Sequence, residues 1–225
     1  KMVLPRKEKT MNSQTKIKAL FFDFDGTIVD SSKSIFASIQ YAMQQLNQPP
    51  LDEKMLVTFV GPPLLDSFLR IGLTTNLANE AVLKYREYYQ DHMHFVQLYP
   101  QMKEVLAQLK DSYQLYIASS KPEVFVKKIA RLMDVDQYFT AIYGADLEGK
   151  RAKKSQVIAY ALSENPNLEP STIRMIGDRS HDCLGANENK IASIGVTYGF
   201  GSKEELEDAG ATEIVTSPTQ LLEIL

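Results

Sequence analysis

The stretch ALFFDFDGTIVDSS, residues 19–32, decides how the rest of the chain is read. Ala19 to Phe22 form an apolar run, Asp23 follows it, and Asp25 comes two residues later with Gly26 and Thr27 behind it. Such a run predicts a strand covered on both faces. A carboxylate buried at its end costs several kcal/mol unless it is paired or bound to a metal. Asp-Gly is also a common turn pair, so the stretch alone fits a plain strand-ending turn as well. The choice depends on what other segments bring to the same place.

Apolar runs at 17–23, 113–119, 140–145, 171–178, 191–197 and 213–216 predict strands. Helical patterns at 101–110, 122–133, 153–164, 180–189, 203–209 and 218–225 alternate with them. Pro122 and Pro218 suit first-turn positions and Ser202 suits a cap. Repeated βα units imply an α/β fold, a doubly wound and mainly parallel sheet with right-handed crossovers. The rhythm breaks once. Residues 24–112 show no strand pattern and read as helices at 33–46, 52–59, 63–71 and 76–95, punctuated by NQPP and VGPPL. A helical cap inserted after the first strand is the simplest account. Its ends meet near 29–31 and 97–100, so it could move as a lid over the sheet. The expected organisation is a leader over 1–15, a core of 16–30 and 98–225, and a cap over 31–97.

Composition narrows the classes. Of the 225 residues 44% are hydrophobic and 24% charged, and the net charge is −3. That is an ordinary globular composition with no broad basic field for nucleic acid. One cysteine, Cys183, excludes an internal disulfide framework and fits a reducing cytoplasm. No apolar run approaches the roughly 18 residues of a membrane span. KMVLPRKEKTMNSQTK is too polar for a signal peptide and reads as a disordered leader, with a native start at Met11 compatible with it.

In open α/β sheets ligands bind beyond the carboxyl ends of the strands. The first strand here ends at Asp23, the second at Ser119-Ser120-Lys121, and a later one at Gly177-Asp178 with Asp182 four residues on. A helix opens at Lys153-Lys154. If the strands are parallel, three or four acids and one or two lysines share one edge. That composition suits phosphoryl transfer. A hard cation such as Mg²⁺ takes oxygen ligands from a few carboxylates. A carboxylate can serve as a covalent nucleophile, a second carboxyl as general acid and base, and lysine with backbone N–H groups can hold the transferred charge.

Taken singly, each element has an ordinary reading. Ser119 to Pro122 fits a helix-capping loop, the two lysines a solvated helix face, and Asp182 a favourable charge at a helix N-terminus. The combination is what argues for a site. His92, His94 and His181 form no recognisable metal cluster. YREYYQDHMHF, residues 85–95, reads as a helix packing its aromatic face into the cap rather than as a nucleobase platform. Cys183 is expected to be buried and inert, and Arg179 is assigned no role.

DFDGTIVDS, ASSKP, the lysine ahead of VIAYAL, and IGDRSHDCLGA resemble the four motifs of the haloacid dehalogenase (HAD) superfamily, in order, across residues 17–225. The inserted helices resemble that family's small helical cap. GVTYGFGSKEELEDAGATEIV resembles the ending of the phosphoglycolate-phosphatase-like branch. By that resemblance Asp23 is the nucleophile and Asp25 the general acid/base with its backbone carbonyl on the metal. Gly26 and Thr27 lie beside the phosphate, and Ser119 with the Ser120 backbone binds phosphate oxygens. Lys154 stabilises the phosphoryl charge, Asp178 ligates Mg²⁺, and Asp182 is a further ligand or a partner of the ligands. Two departures stand out: Ser119-Ser120 replaces the usual Thr-Asn, and KRAKKSQVI lacks the proline that often follows the third-motif lysine. Lys154 fits best by its distance to the VI pair, with Lys153 left open.

The resemblance implies a Mg²⁺-dependent, cytoplasmic phosphatase acting on a small phosphorylated metabolite. Asp25 argues against a dehalogenase, whose halide leaving group needs no proton and whose members lack an acid at that position. A β-phosphoglucomutase-like mutase shares all four motifs, and the intact acids count against a non-catalytic binding protein. Substrate choice belongs to the cap, above all FVGPPLLDSFLR at 59–70, whose few charges, Asp66 and Arg70, offer no obvious clamp for a highly anionic leaving group. The branch resemblance suggests phosphoglycolate, with nucleoside monophosphates (a 5'-nucleotidase), sugar phosphates and pyrophosphate as alternatives. No nucleic acid or membrane partner is expected, and the assembly is read as monomer or homodimer.

Overall fold

The structure is a computed structural model describing residues 16–225, so the leader expected over 1–15 lies outside the described residues. In chain order the elements begin with β1 (Ala19–Phe22), β2 (Val29–Asp30), α1 (Ser32–Gln45), α2 (Glu53–Val57), α3 (Leu64–Arg70), α4 (Thr75–His92) and β3 (Gln97–Leu98). Then come α5 (Met102–Lys110), β4 (Gln114–Pro122), α6 (Glu123–Leu132), β5 (Ala141–Ala145), α7 (Lys154–Glu164) and β6 (Ile173–Gly177). The chain finishes with α8 (Ser180–Glu188), β7 (Ala192–Val196), α9 (Lys203–Asp208), β8 (Glu213–Val215) and α10 (Leu221–Ile224).

β5-β4-β1-β6-β7-β8 form one six-stranded sheet whose pairings are all parallel. The physical cause is visible in β1, whose residues are all fully buried. Side chains alternate across a strand. Leu20 and Phe22 therefore pack into one core with Leu106 and Ile129, while Ala19 and Phe21 pack into a second with Val157 and Ile158. Helices on both faces satisfy both sides at once. After β1 the strands step outward through β4 to β5, then β6 returns to the other side of β1. The order reverses at β1, and such a reversal leaves a crevice at the carboxyl ends where ligands bind. Asp23 is the first residue past β1.

The interval 24–112 differs from expectation in one respect. β2 and β3 pair antiparallel, Val29 opposite Leu98 and Asp30 opposite Gln97, and bring the two ends of the helical insert α1–α4 together. Strands of two residues are too short to show a period, so the sequence pattern carried no sign of them. Pro122 also differs: it ends β4 and immediately precedes α6 instead of occupying the helix's first turn. Pro218 opens a 3₁₀ turn, Pro218–Gln220, ahead of the short α10. Ser202 caps α9 as expected, its hydroxyl accepting the Glu205 N–H at 3.1 Å.

The β4–α6 junction, which carries Ser119 to Lys121, is wedged against β5. A methyl group on Gly144 would stand 2.5 Å from Glu123 Cα and 2.7 Å from the Lys121 carbonyl oxygen. Backbone cannot yield there as a flexible side chain would. Gly144→Ala is therefore expected to destabilise by about 1–3 kcal/mol. At about 2–4 °C per kcal/mol for a domain of this size, thermal unfolding should register the loss.

Candidate active site

Beyond β1 the chain turns tightly, with the Gly26 N–H donating to the Val29 carbonyl at 2.8 Å and the Ile28 N–H to the Phe24 carbonyl at 2.9 Å. The turn leaves both Asp23 and Asp25 on the wall of one cavity. Asp23 is buried, and its Oδ1 lies 2.6 Å from Lys154 Nζ. The same ammonium reaches Asp182 Oδ1 at 2.9 Å and donates to the Ala118 carbonyl at 2.9 Å. An ammonium has three protons, and here three oxygens take them. Of the two lysines left open by the sequence, Lys154 is the one against Asp23. Lys153 precedes α7 with an exposed side chain.

Asp178 follows β6 and is fully buried. Its Oδ1 accepts from the Thr27 hydroxyl at 3.3 Å and its Oδ2 from the Phe200 N–H at 2.8 Å. Thr27, expected beside the phosphate, thus directs its hydroxyl to Asp178, and neither it nor Gly26 lines the cavity. Asp182 sits in the first turn of α8, its Oδ2 accepting the Arg179 N–H at 3.0 Å. Asp23, Asp178 and Asp182 each bring a carboxylate oxygen within 4.8 Å of the others.

Three buried carboxylates against one lysine leave excess negative charge. Burial, then the Asp182 charge, push the Asp23 carboxyl up to about 7, although Lys154 pulls it down. Burial and the charges of Asp182 and Asp23 likewise hold Asp178 well above the usual carboxylate range. Burial opposes the charge on Lys154, yet Asp182 and Asp23 outweigh it and raise the ammonium. An all-oxygen donor set with surplus negative charge is what a hard divalent cation requires, so these residues fit Mg²⁺.

Asp25 has its own partners. Oδ1 accepts from the Ser31 hydroxyl at 2.5 Å, and Oδ2 pairs with Lys121 Nζ at 2.7 Å. The sequence reading places Lys121 at the strand end without a role and gives Ser31 none. A signal did exist for Lys121: it stands two residues past Ser119 on an extended segment, hence on the same side. The Ser119 hydroxyl accepts the Lys121 N–H at 3.2 Å. The Ser120 hydroxyl is buried and has no hydrogen-bond partner among the described residues. Both serines line the cavity.

The cavity, about 510 Å³, lies between the strand ends and the helical insert. The segment Phe59 to Asp66 lines it, as expected of a cap loop reaching over the site. The sequence reading packs the aromatic face of α4 into the cap, and the structure bears this out in part. Tyr88 does so, stacking on Tyr41 at 4.7 Å and on His92 at 3.7 Å. Tyr85 and Tyr89, one helical turn apart, line the cavity, stacked on each other at 5.3 Å, with Phe125 edge-on to Tyr89 at 5.4 Å. The Tyr89 hydroxyl is buried and unpartnered among the described residues. No histidine belongs to the acidic cluster among the described residues. Cys183 is buried, and that burial pushes its thiol up to about 11.

A family model described as haloacid dehalogenase-like hydrolase matches residues 20–196. A 5'-nucleotidase of Pseudomonas aeruginosa is 38% identical over 209 residues, covering 92% of this chain and 94% of its own. A phosphoglycolate phosphatase of Vibrio parahaemolyticus is 28% identical, covering 95% and 98%. The crystal structure of a predicted phosphatase from Clostridium acetobutylicum superposes with a TM-score of 0.88 at 39% identity, covering 93% of this chain and all of that one. No helix among the described residues is long and apolar enough to cross a membrane.

Proposed function

We propose, from the premise that this chain belongs to the haloacid dehalogenase-like hydrolases and is a phosphatase of that family, that it hydrolyses a nucleoside monophosphate or a similar small phosphomonoester through an aspartyl-phosphate on Asp23, with Mg²⁺ as cofactor. The observation that carries this reading is the placement of Asp23 and Asp25 on one cavity wall, each with its own lysine.

A carboxylate oxygen of Asp23 attacks phosphorus as the bond to the leaving oxygen breaks. Asp25 gives that oxygen a proton, then takes one from the water that attacks the aspartyl-phosphate and releases inorganic phosphate. Lys154, fixed by three oxygens, holds its charge beside the phosphoryl group without reorganising. Asp182 orients that lysine, and the Ser119 hydroxyl with the Ser120 backbone binds phosphoryl oxygens. Asp23, Asp178 and Asp182, with the Asp25 backbone carbonyl, would hold the Mg²⁺. When bound, the ion supplies positive charge against the phosphoryl oxygens.

Cavity size and lining favour a nucleoside over a two-carbon leaving group. About 510 Å³ lies within the range of about 300–1,000 Å³ that holds drug-sized ligands. Tyr85 and Phe125 border the cavity with the little surface they leave uncovered, while Tyr89 is fully buried behind them, so the leaving group meets an aromatic wall. Of the wall's cations, Lys121 is paired with Asp25 and Lys153 is exposed, while half-buried Arg86 gives one N–H to the Leu147 carbonyl at 3.2 Å and has no acid partner among the described residues. Phosphate release should be measured from nucleoside monophosphates, phosphoglycolate, hexose phosphates and pyrophosphate, with Mg²⁺ and with EDTA. Nucleotides should lead and EDTA should abolish release. Phosphoglycolate ranking first would overturn the substrate reading. Phosphoryl transfer between hexose positions without net release would replace the phosphatase by a mutase.

A further inference from the structure

Arg179 stands between Asp178 and α8, in a motif whose acids the mechanism uses but whose arginine it does not. Its backbone N–H holds Asp182, while its side chain crosses to the cap. Nη1 donates to the Val60 carbonyl at 2.7 Å and to the Val57 carbonyl at 3.3 Å, where α2 ends. Nε donates to Glu205 Oε1 at 2.9 Å. The same Glu205 oxygen accepts the Ser180 N–H at 2.8 Å, so the guanidinium is aimed from behind by α9. The Val57 carbonyl also accepts the Val60 N–H at 3.1 Å, so the guanidinium grips a turn that the backbone already closes. Above the arginine passes Gly61, at φ 107°, where a Cβ would stand 3.3 Å from Arg179 Cγ. Phe59, Val60 and Gly61 all line the cavity.

We infer that Arg179 is a positioning residue that seats the cap loop 57–61 over the cavity, and so sets how firmly the leaving group is held. One residue then ties the acid cluster, through its backbone, to the roof of the leaving-group pocket, through its side chain. Arginine suits the task because its planar fork presents Nε to Glu205 and Nη1 to the two carbonyls, a spread of donor positions that a lysine's single nitrogen does not have.

The inference rests on the phosphatase reading for its kinetic consequence but not for its geometry, and the test separates the two. Hydrogen–deuterium exchange, followed by mass spectrometry on the metal-free protein, should show faster exchange over residues 57–61 in Arg179→Met, with intermediate exchange in Arg179→Lys. With adenosine monophosphate and Mg²⁺, Arg179→Met should raise KM on the order of tenfold, the effect of losing a charged hydrogen bond. In the same variant kcat should stay within about threefold, because the change is confined to binding. Arg179→Lys should recover part of the KM. Unchanged exchange over 57–61 in both variants would overturn the inference. So would a fall in kcat at constant KM, which would assign Arg179 to the acid cluster alone. If the wild-type protein releases no phosphate from the nucleotide, the substrate reading fails, and the exchange measurement still decides the seating of the loop.

Discussion

Asp23→Asn is expected to lower phosphate release by roughly 10⁴-fold or more, the scale on which removing a covalent nucleophile acts. The fold should survive. Asparagine keeps the shape of the side chain and takes one charge out of a cluster that burial and Asp182 already strain, as the rise of the Asp23 carboxyl to about 7 records. Lys154 retains Asp182 and the Ala118 carbonyl as partners. Thermal unfolding of the metal-free variant should therefore match or exceed the wild type, while its phosphate release falls to background. Release within a hundredfold of wild type would remove Asp23 from the nucleophile role.

The second large effect is expected at Lys154. Alanine there removes the one cation between Asp23 and Asp182 and strips the Ala118 carbonyl of its donor. Breaking a buried pair from one side costs about 3–5 kcal/mol, because the remaining charge is left uncompensated. For a domain of this size that is a fall of roughly 6–20 °C in the metal-free unfolding midpoint. Activity should drop on the order of 10²–10³-fold, since a preorganised charge beside the phosphoryl group is lost. Lys153→Ala is the control. An exposed side chain changes stability by no more than about 0.5 kcal/mol, and its activity should stay near wild type. The opposite ranking of the two variants would transfer the third-motif role to Lys153.

These two lysines also mark where reading the sequence stops. They are neighbours ahead of the same apolar pair, and at a helix start successive side chains point to different sides. The direction of α7 relative to β1 decides which one descends to Asp23. α4 presents the same problem. Its aromatic residues are plain in the sequence, but Tyr85 with Tyr89 and Tyr88 with His92 are separate one-turn pairs on different faces. Only the docking of that helix puts the first pair on the cavity. The strands β2 and β3 were invisible because two residues show no period, although the helical interval located the insert's ends.

The sequence by itself determined the α/β core, the place of the helical insert, and the acids and serines gathered at the strand ends. Continuous apolar runs require a sheet covered on both faces, and charges ending such runs require partners. The tertiary structure alone decided that Lys154 neutralises Asp23, that Lys121 and Ser31 hold Asp25, that Thr27 turns to Asp178, and that Arg179 reaches the cap loop. Those pairs join elements distant in the chain or close below the resolution of a pattern. Their partners are chosen by how the helices pack on the sheet, which no local run of residues encodes.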